Sequence, residues 1–107
     1  MTKKAIATEK APAALGPYSQ AISVNGTVYV SGQLPIDPAT GEFATTDIQG
    51  QTRQSLTNIQ AILAEAGLDM SNVVKTTVLL DNIDDFAAMN EVYAEFFTGV
   101  TPARAAF

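Results

Sequence analysis

The segment "ISVNGTVYV", residues 22–30, constrains the fold more than any other part of the sequence. Two runs of β-prone side chains flank Asn25-Gly26, a pair that readily takes positive φ at both centres of a type I′ turn. Such a turn joins two antiparallel strands through a two-residue loop. The sequence therefore predicts an antiparallel hairpin here, with Val28 and Val30 on one face.

A first helix is predicted after a turn-rich stretch, "LPIDPATGEF", which is interpreted as a loop. Thr46 is a good N-cap, and Gln49 three residues later completes a capping box. Gly67 is placed to end the helix in the left-handed conformation. The apolar stripe of this helix recurs at spacings of three and four residues, at Ile48, Thr52, Leu56, Ile59, Leu63 and Ala66.

A β-branched run from Val73 to Leu80 predicts a central strand. A second helix is expected to begin near Asn82 to Asp84 and to stop at Gly99, and "PARAAF" then begins a further strand. The helix is amphipathic, because its large apolar residues recur at helical spacing, at Phe86, Met89, Tyr93, Phe96 and Phe97.

The order of predicted elements indicates the α+β class, with a mixed β-sheet and two helices packed on one face. The length of 107 residues predicts a single domain, residues 1–107. The strands carry more apolar area than helices on one side can cover, which is typical of an interface and predicts homo-oligomerisation. The residues on which this expectation rests are Val28, Val30, Val74, Val78 and Leu80.

Composition excludes several classes of function. The chain has neither histidine nor cysteine, so a His-based catalytic triad and a Cys/His zinc site are both excluded, and no metal is predicted. The formal net charge of −5 opposes nucleic-acid binding. No apolar run approaches the about 20 residues of a membrane helix. With no signal-peptide core at its start, the chain is predicted to be cytoplasmic.

Arg104 is the first candidate functional residue, because an unpaired guanidinium is costly among the apolar and small residues of "TPARAAF". Its planar fork of donors suits two-point capture of a carboxylate. The alternative is an ion pair with an acidic residue of the same chain, and spacing alone favours that alternative. Arg53, the other arginine, lies on the polar side of the first helix and is interpreted as a solvated surface charge.

Three further positions have a functional and a structural interpretation. Tyr18 follows a Gly-Pro turn, so its phenol can face an anionic ligand or mark a boundary between loop and core. Ser31-Gly32 ends a strand, where a small ligand can approach the backbone, or where the strand simply exits. Lys75 could form a Schiff base if it were desolvated, but its position in mid-strand favours a wetter face.

Five segments, in this order, resemble the RidA/YjgF family of reactive-intermediate (enamine/imine) deaminases, and together they run from about Ala5 to Phe107. Each motif alone is modest, whereas five in sequence at the family's spacing are specific. The segments are "APAALGPYSQAI", "VYVSGQLPIDPATGE", "QTRQSLTNIQAILAEAGL", "VVKTTVLLDNIDDFAAMNEVYAEFF" and "TPARAAF".

The resemblance implies a chorismate-mutase-like fold and a homotrimer with a cleft between neighbouring subunits. It implies hydrolysis of 2-imino acids and their enamine tautomers, such as 2-iminobutanoate and 2-iminopropanoate, to 2-oxo acids and ammonia, without a cofactor. By resemblance, Arg104 is the catalytic residue that grips the substrate carboxylate, and Tyr18 lies in the cleft. Ser31 and Gly32 line the pocket, and Asn90 matches an asparagine of the second helix whose role stays open.

The sequence departs from the family pattern in two places. Ala106 stands where members often have a cysteine. Members also continue beyond this point through a final strand with a glutamate that positions the water, so we expect that strand and that glutamate to lie outside these 107 residues. Two alternative functions stay open: a non-catalytic, carboxylate-binding or chaperone-like trimer, and an RNA-cleaving translation inhibitor, which the acidic charge opposes.

Overall fold

The computed structural model describes residues 2–107 and confirms the hairpin around Asn25-Gly26. Asn25 has φ of 50° and Gly26 has φ of 77°, as a type I′ turn requires. The antiparallel strands are β2 and β3, and β1 pairs with the outer edge of β2 to give a three-stranded sheet. Their bounds are Lys4–Ile6 for β1, Ala21–Val24 for β2 and Thr27–Val30 for β3.

The remaining strands form two separate pairs, so the described residues contain three small sheets where the sequence predicts one mixed sheet. The stretch interpreted as a loop contains a short antiparallel pair, β4 and β5, at Ile36–Asp37 and Glu42–Phe43. The predicted central strand is shorter than expected and pairs in parallel with the strand that "PARAAF" predicts. These strands are β6 at Lys75–Val78 and β7 at Ala103–Ala106.

The first helix, α1, spans Ile48–Glu65, and its predicted N-cap was wrong by one residue. Asp47, not Thr46, is the N-cap, because its side-chain carboxylate accepts a hydrogen bond from the Gly50 amide at 2.7 Å. The expected capping box is absent, since Gln49 donates instead to the second helix. At the other end, Gly67 has φ of 77°, which confirms the predicted left-handed stop.

The second helix, α2, spans Phe86–Phe96 and begins slightly later than predicted. A 3₁₀ turn at Ile83–Asp85 precedes it, and the Asn82 side chain caps that turn by accepting from the Asp84 amide. Another 3₁₀ turn, Met70–Asn72, leads from α1 into β6. The β6–α2–β7 segment is therefore a parallel strand pair with a helical crossover.

The main hydrophobic core lies between the two helices and the inner faces of β3 and β6. Ile62, on α1, is fully buried in a second cluster beneath β1 and β2. The predicted stripe of α1 omitted Ile62 and Asn58, both of which are fully buried. The amide of Asn58 is satisfied there, because it donates to the backbone carbonyls of Leu34 and Ile36.

The apolar outer surface differs in its residues from the one predicted. Val30, Val78 and Leu80 pack against the helical core and therefore do not form an uncovered face. Among those named, Val74 alone is largely exposed, at 80%. Other large apolar side chains do remain exposed, and they include Leu15, Tyr29, Leu34, Leu79 and Val100. Between residues 2 and 107, no helix combines the length and the apolar character that crossing a membrane requires.

Candidate functional site

One face of α2 presents three residues toward strand β7. Phe86, Asn90 and Tyr93 are spaced i, i+4 and i+7, and this spacing places them in one row along the helix. Tyr93 is buried, and its hydroxyl shares a hydrogen bond of 2.7 Å with Oγ1 of Thr76 on β6. The row is therefore tied to the strands by a polar contact as well as by packing.

Arg104 lies over this row. Residue 104 is paired with Thr76 in the parallel register of β6 and β7, so both side chains point to the same side of the strand pair. The Nη1 of Arg104 donates to Oδ1 of Asn90 at 2.6 Å. Its Cζ lies 4.8 Å from the ring centroid of Tyr93 and 5.3 Å from that of Phe86. Both distances fall within cation–π range.

The charge of Arg104 is not neutralised by any acidic residue among those the structure describes. Across residues 2–107, the single ion pair joins Arg53 to Glu95, at 2.7 Å. The acceptor that Arg104 has, the Asn90 amide oxygen, is neutral. The ion pair that spacing favoured for Arg104 is thus contradicted, and the guanidinium is available to an anion from outside.

Arg53 was interpreted as a solvated surface charge, and the structure keeps it at the surface but adds an acidic partner. It extends from α1 to α2 and donates from both terminal nitrogens to the Glu95 carboxylate, at 2.7 and 3.2 Å. The hydrogen bond between Arg53 and Glu95 lowers the pKa of Glu95, and the same bond raises the pKa of Arg53. Both side chains are about half exposed, so this pair is a surface link between the helices.

Tyr18 is held in place by the turn that precedes it. Gly16 has φ of 136°, which permits the sharp bend, and the Tyr18 amide donates back to the Gly16 carbonyl at 2.9 Å. The phenol oxygen accepts from the Leu15 amide at 3.3 Å. Because that contact uses a lone pair, the phenol hydrogen remains available to a ligand. The ring is half exposed.

Ser31 belongs to the same part of the molecule as Tyr18. Its hydroxyl donates to the Ser19 carbonyl at 2.6 Å, and its amide donates to the Gln20 carbonyl at 2.9 Å. The buried side chain of Gln20 is bonded to the backbone of Thr8, Ala11 and Pro12. These contacts fix the loop that carries Tyr18.

Gly32 follows Ser31 and is exposed. A Cβ added there would meet no atom within 4 Å, so packing among residues 2–107 does not require a glycine at this position. Open space beside the backbone is what the approach of a small ligand needs.

The predicted site residues fall into two groups. One contains Arg104 and Asn90, and the other contains Tyr18, Ser31 and Gly32. Within residues 2–107, no hydrogen bond joins the groups. An open, mostly apolar hollow of about 410 Å³ lies beside Tyr18, between the first strand and the loop after it, but neither α2 nor β7 lines it. We give more weight to the Arg104 group, because that hollow contains no basic residue.

Lys75 lies on the exposed side of β6, and its ammonium donates to the Thr76 carbonyl at 3.0 Å. It is therefore not the desolvated amine that Schiff-base chemistry requires. In the part of the chain that the structure describes, no three acidic side chains converge in a way that could hold a metal ion.

Sequence reasoning did not identify the aromatic surface beneath the guanidinium. Phe86 and Tyr93 were predicted only as members of the apolar stripe of α2, and Thr76 was not considered. The i, i+4 spacing of Phe86 and Asn90 was a usable signal, because it puts an amide beside an aromatic ring on one helix face. That spacing does not indicate where β7 lies, so it could not place Arg104 over the ring.

Comparison with known proteins agrees with this fold. A family sequence profile described as endoribonuclease L-PSP matches residues 8–107. The chain belongs to the RidA/YjgF family. A crystal structure of the Rid family protein YyfA from Yersinia pestis superposes with a TM-score of 0.96 at 48% identity, over 99% of this chain and 85% of that one.

Two further RidA/YjgF relatives have informative names. A protein of the goat, Capra hircus, called 2-iminobutanoate/2-iminopropanoate deaminase is 51% identical over 107 residues, which are 100% of this chain and 78% of the goat protein. TdcF of E. coli, crystallised with bound serine, has a TM-score of 0.93 at 42% identity, over 97% of this chain and 84% of TdcF.

Proposed function

We propose that this RidA/YjgF protein hydrolyses 2-imino acids, such as 2-iminobutanoate and 2-iminopropanoate, to 2-oxo acids and ammonia. The observation that carries the proposal is an arginine with a neutral hydrogen-bond partner and no counterion among residues 2–107. A guanidinium in that state suits a small carboxylate. The name of the goat relative and the amino acid bound to TdcF support the same class of ligand.

In the proposed reaction, Arg104 anchors the substrate carboxylate through two parallel hydrogen bonds, which fixes the imine carbon in space. Water adds to that carbon, and the imine nitrogen takes up a proton. The resulting carbinolamine then loses ammonia, and its hydroxyl gives up a proton to leave the 2-oxo acid. A protonated imine is already a strong electrophile, so orientation alone can supply much of the acceleration.

Tyr18 and the Ser31-Gly32 pair complete the proposed site, with Tyr18 donating its free phenol hydrogen to the substrate. The two groups of site residues are not joined by hydrogen bonds within residues 2–107. We therefore propose a homotrimer in which one subunit supplies Arg104 and its neighbour supplies Tyr18. The exposed side chains of Leu15, Tyr29 and Leu79 are apolar area that such an interface would bury.

The first experiment couples the protein to a threonine dehydratase and follows release of 2-oxobutanoate. Wild-type protein should accelerate the release, and Arg104→Ala should lower kcat/KM by about 100-fold or more, since two hydrogen bonds to a charged group are lost. Glu95→Gln, which changes the partner of the other arginine, is the matched control and should keep full activity. Equal activity of Arg104→Ala and wild type would refute the proposed function.

A second experiment tests the shared site. Arg104→Ala and Tyr18→Ala proteins, each expected to be strongly impaired, are unfolded together and refolded as a mixture. If neighbouring subunits build one site, some mixed oligomers contain a site with both residues intact, and part of the activity returns. If one subunit supplies both residues, mixing restores nothing, and the inter-subunit arrangement is wrong while the chemistry stands.

The family profile's description names RNA cleavage, but the charge of this chain favours the small carboxylate. The formal net charge is −5, and binding to a polyanion depends on clustered basic residues. Cleavage of RNA by intact protein that Arg104→Ala leaves unchanged, together with no acceleration of 2-oxobutanoate release, would reverse this preference. Binding of 2-oxobutanoate without any acceleration would instead favour the carboxylate-binding alternative.

A further inference from the structure

We propose that Asn90 and Tyr93 are positioning residues that hold the Arg104 guanidinium in one orientation and keep its charge available. The inference rests on the proposed function, since it assigns a carboxylate to Arg104. Neither residue need touch the ligand: Asn90 bonds the guanidinium, and Tyr93 lies beneath it. Both act through the arginine.

The hydrogen bond to Asn90 determines which edge of the guanidinium remains open. Nη1 donates to Asn90 Oδ1 at 2.6 Å, whereas Nε and Nη2 donate to no acceptor within residues 2–107. Nε and Nη2 form the side edge of the fork, and their two N–H groups are parallel. Parallel donors match the two oxygens of a carboxylate. The structure therefore leaves free the edge that a bidentate ligand uses.

The neutrality of Asn90 is as important as its position. An aspartate at position 90 would accept the same hydrogen bond but would also neutralise the guanidinium, as Glu95 does for Arg53. An amide oxygen orients the cation without neutralising it. The ring centroids of Tyr93 and Phe86 lie 4.8 and 5.3 Å from Cζ of Arg104, and the rings stabilise its positive charge without carrying a negative charge themselves.

The Tyr93 ring is itself fixed. Its hydroxyl is bonded to Thr76 at 2.7 Å, and the ring packs against Phe97 with centroids 4.5 Å apart. Thr76 is the strand neighbour of Arg104, so the bond connects the surface under the guanidinium to the strand pair that carries the arginine. A shift of α2 relative to β7 would break this bond and move the ring away from the charge.

The test uses two ligands of nearly equal shape, 2-oxobutanoate and its neutral analogue 2-oxobutanamide. Dissociation constants are measured by NMR titration for wild type, Asn90→Ala, Asn90→Asp, Arg104→Ala and Glu95→Gln. Asn90→Ala should raise the dissociation constant of 2-oxobutanoate by about threefold to tenfold, as expected for one lost hydrogen bond. Asn90→Asp should raise this dissociation constant by about tenfold or more, because the new carboxylate competes with the ligand for the Arg104 guanidinium. Both variants should leave the dissociation constant of 2-oxobutanamide nearly unchanged.

Several outcomes would overturn the inference. Equal weakening of both ligands by Asn90→Ala would show a direct contact or a general structural effect. An Asn90→Asp protein that binds 2-oxobutanoate as well as wild type would show that neutrality is irrelevant. If Arg104→Ala also binds 2-oxobutanoate normally, the proposed function fails; if Arg104→Ala alone loses binding, only the positioning role fails.

A second measurement needs no ligand and remains decisive if a variant is weakly stable. The chain has only two arginines, so its spectrum contains two arginine Nε–H signals. Arg104 should show restricted motion in wild type and increased motion in Asn90→Ala, with Arg53 unchanged. Glu95→Gln should have the opposite pattern. Identical Arg104 motion in wild type and Asn90→Ala would contradict the proposal.

The role of Tyr93 is tested through its hydroxyl. Tyr93→Phe and Thr76→Val each remove one side of the same hydrogen bond. We expect each variant to weaken the binding of 2-oxobutanoate by about twofold to fivefold. The double variant should bind it no more weakly than either single variant, because the same interaction is lost in all three. Full additivity of the two effects would contradict a shared bond.

Discussion

The two arginines of this chain both reach α2, but they meet opposite kinds of partner there. Arg53 crosses from α1 and finds a carboxylate, Glu95, with which it makes two hydrogen bonds. Arg104 comes from β7 and finds an amide oxygen and two aromatic rings. Asn90 and Glu95 are five positions apart, so they lie on different faces of the same helix.

The difference separates a cation that is paired within the fold from one that, under the proposed function, binds a ligand. Where the partner is an acid, the charges cancel, the pKa of Glu95 falls, and the pair links two helices. Where the partner is neutral, the geometry of the guanidinium is fixed and its charge remains. The residue type alone does not distinguish these cases; the chemical nature of the acceptor does.

The largest expected effect comes from weakening the helix that both arginines share. Met89 is 1% exposed at the centre of α2, so Met89→Ala should lower the free energy of unfolding by about 2–5 kcal/mol. Met89→Leu, which conserves volume, should cost under about 1.5 kcal/mol. Denaturant unfolding measures both. A loss in Met89→Ala as small as that in Met89→Leu would mean that α2 is not anchored by this contact.

The comparison itself is tested by the same conservative change at both arginines. Lysine keeps the charge but lacks the planar fork. Arg104→Lys should therefore lower kcat/KM for imine hydrolysis by about tenfold, or about 1.4 kcal/mol of transition-state stabilisation. Arg53→Lys should leave kcat/KM unchanged, because that residue serves the helix pair. Equal losses of kcat/KM in the two variants would show that the two arginines do not differ in function.

The smallest effect is expected at the surface pair. Because Arg53 lowers the pKa of Glu95 from its ordinary value of 4.5, the pair stabilises the fold above that value. This stabilisation disappears as pH falls through the lower, folded-state pKa. Glu95→Gln should thus lower Tm slightly at about pH 7, and the difference from wild type should shrink and then vanish as the pH is lowered through the folded-state pKa of Glu95. A difference that persists in acid would show that Glu95 acts by packing.

Local features of the fold were predictable from sequence, because their causes are local. Asn25-Gly26 determines the hairpin, and Gly67 ends α1, since both positions need positive φ. The N-cap of α1 was wrong because Thr46 and Asp47 are adjacent and both are good capping residues. Which one caps depends on where the Gly50 amide points, and sequence does not contain that direction.

Features that depend on how elements pack were not predictable in the same way. Spacing along the chain favoured an acidic partner for Arg104 and solvent for Arg53, and the structure gives the acid to Arg53. The partners come from elements that are distant in sequence, so no local pattern contains them. The resemblance to a family pointed to Asn90 but left its role open, and its contact with Arg104, like those of Phe86 and Tyr93, needed the docked helix.

The parallel pairing of β6 and β7 has a consequence for how activity arises during folding. Parallel neighbours cannot meet through a tight turn, so the intervening helix must cross over before Thr76 and Arg104 become adjacent. The same helix carries Asn90 and Tyr93. A partly folded chain with its hairpin formed but α2 undocked would have nothing to orient the arginine, so we expect carboxylate recognition to emerge only once α2 has docked.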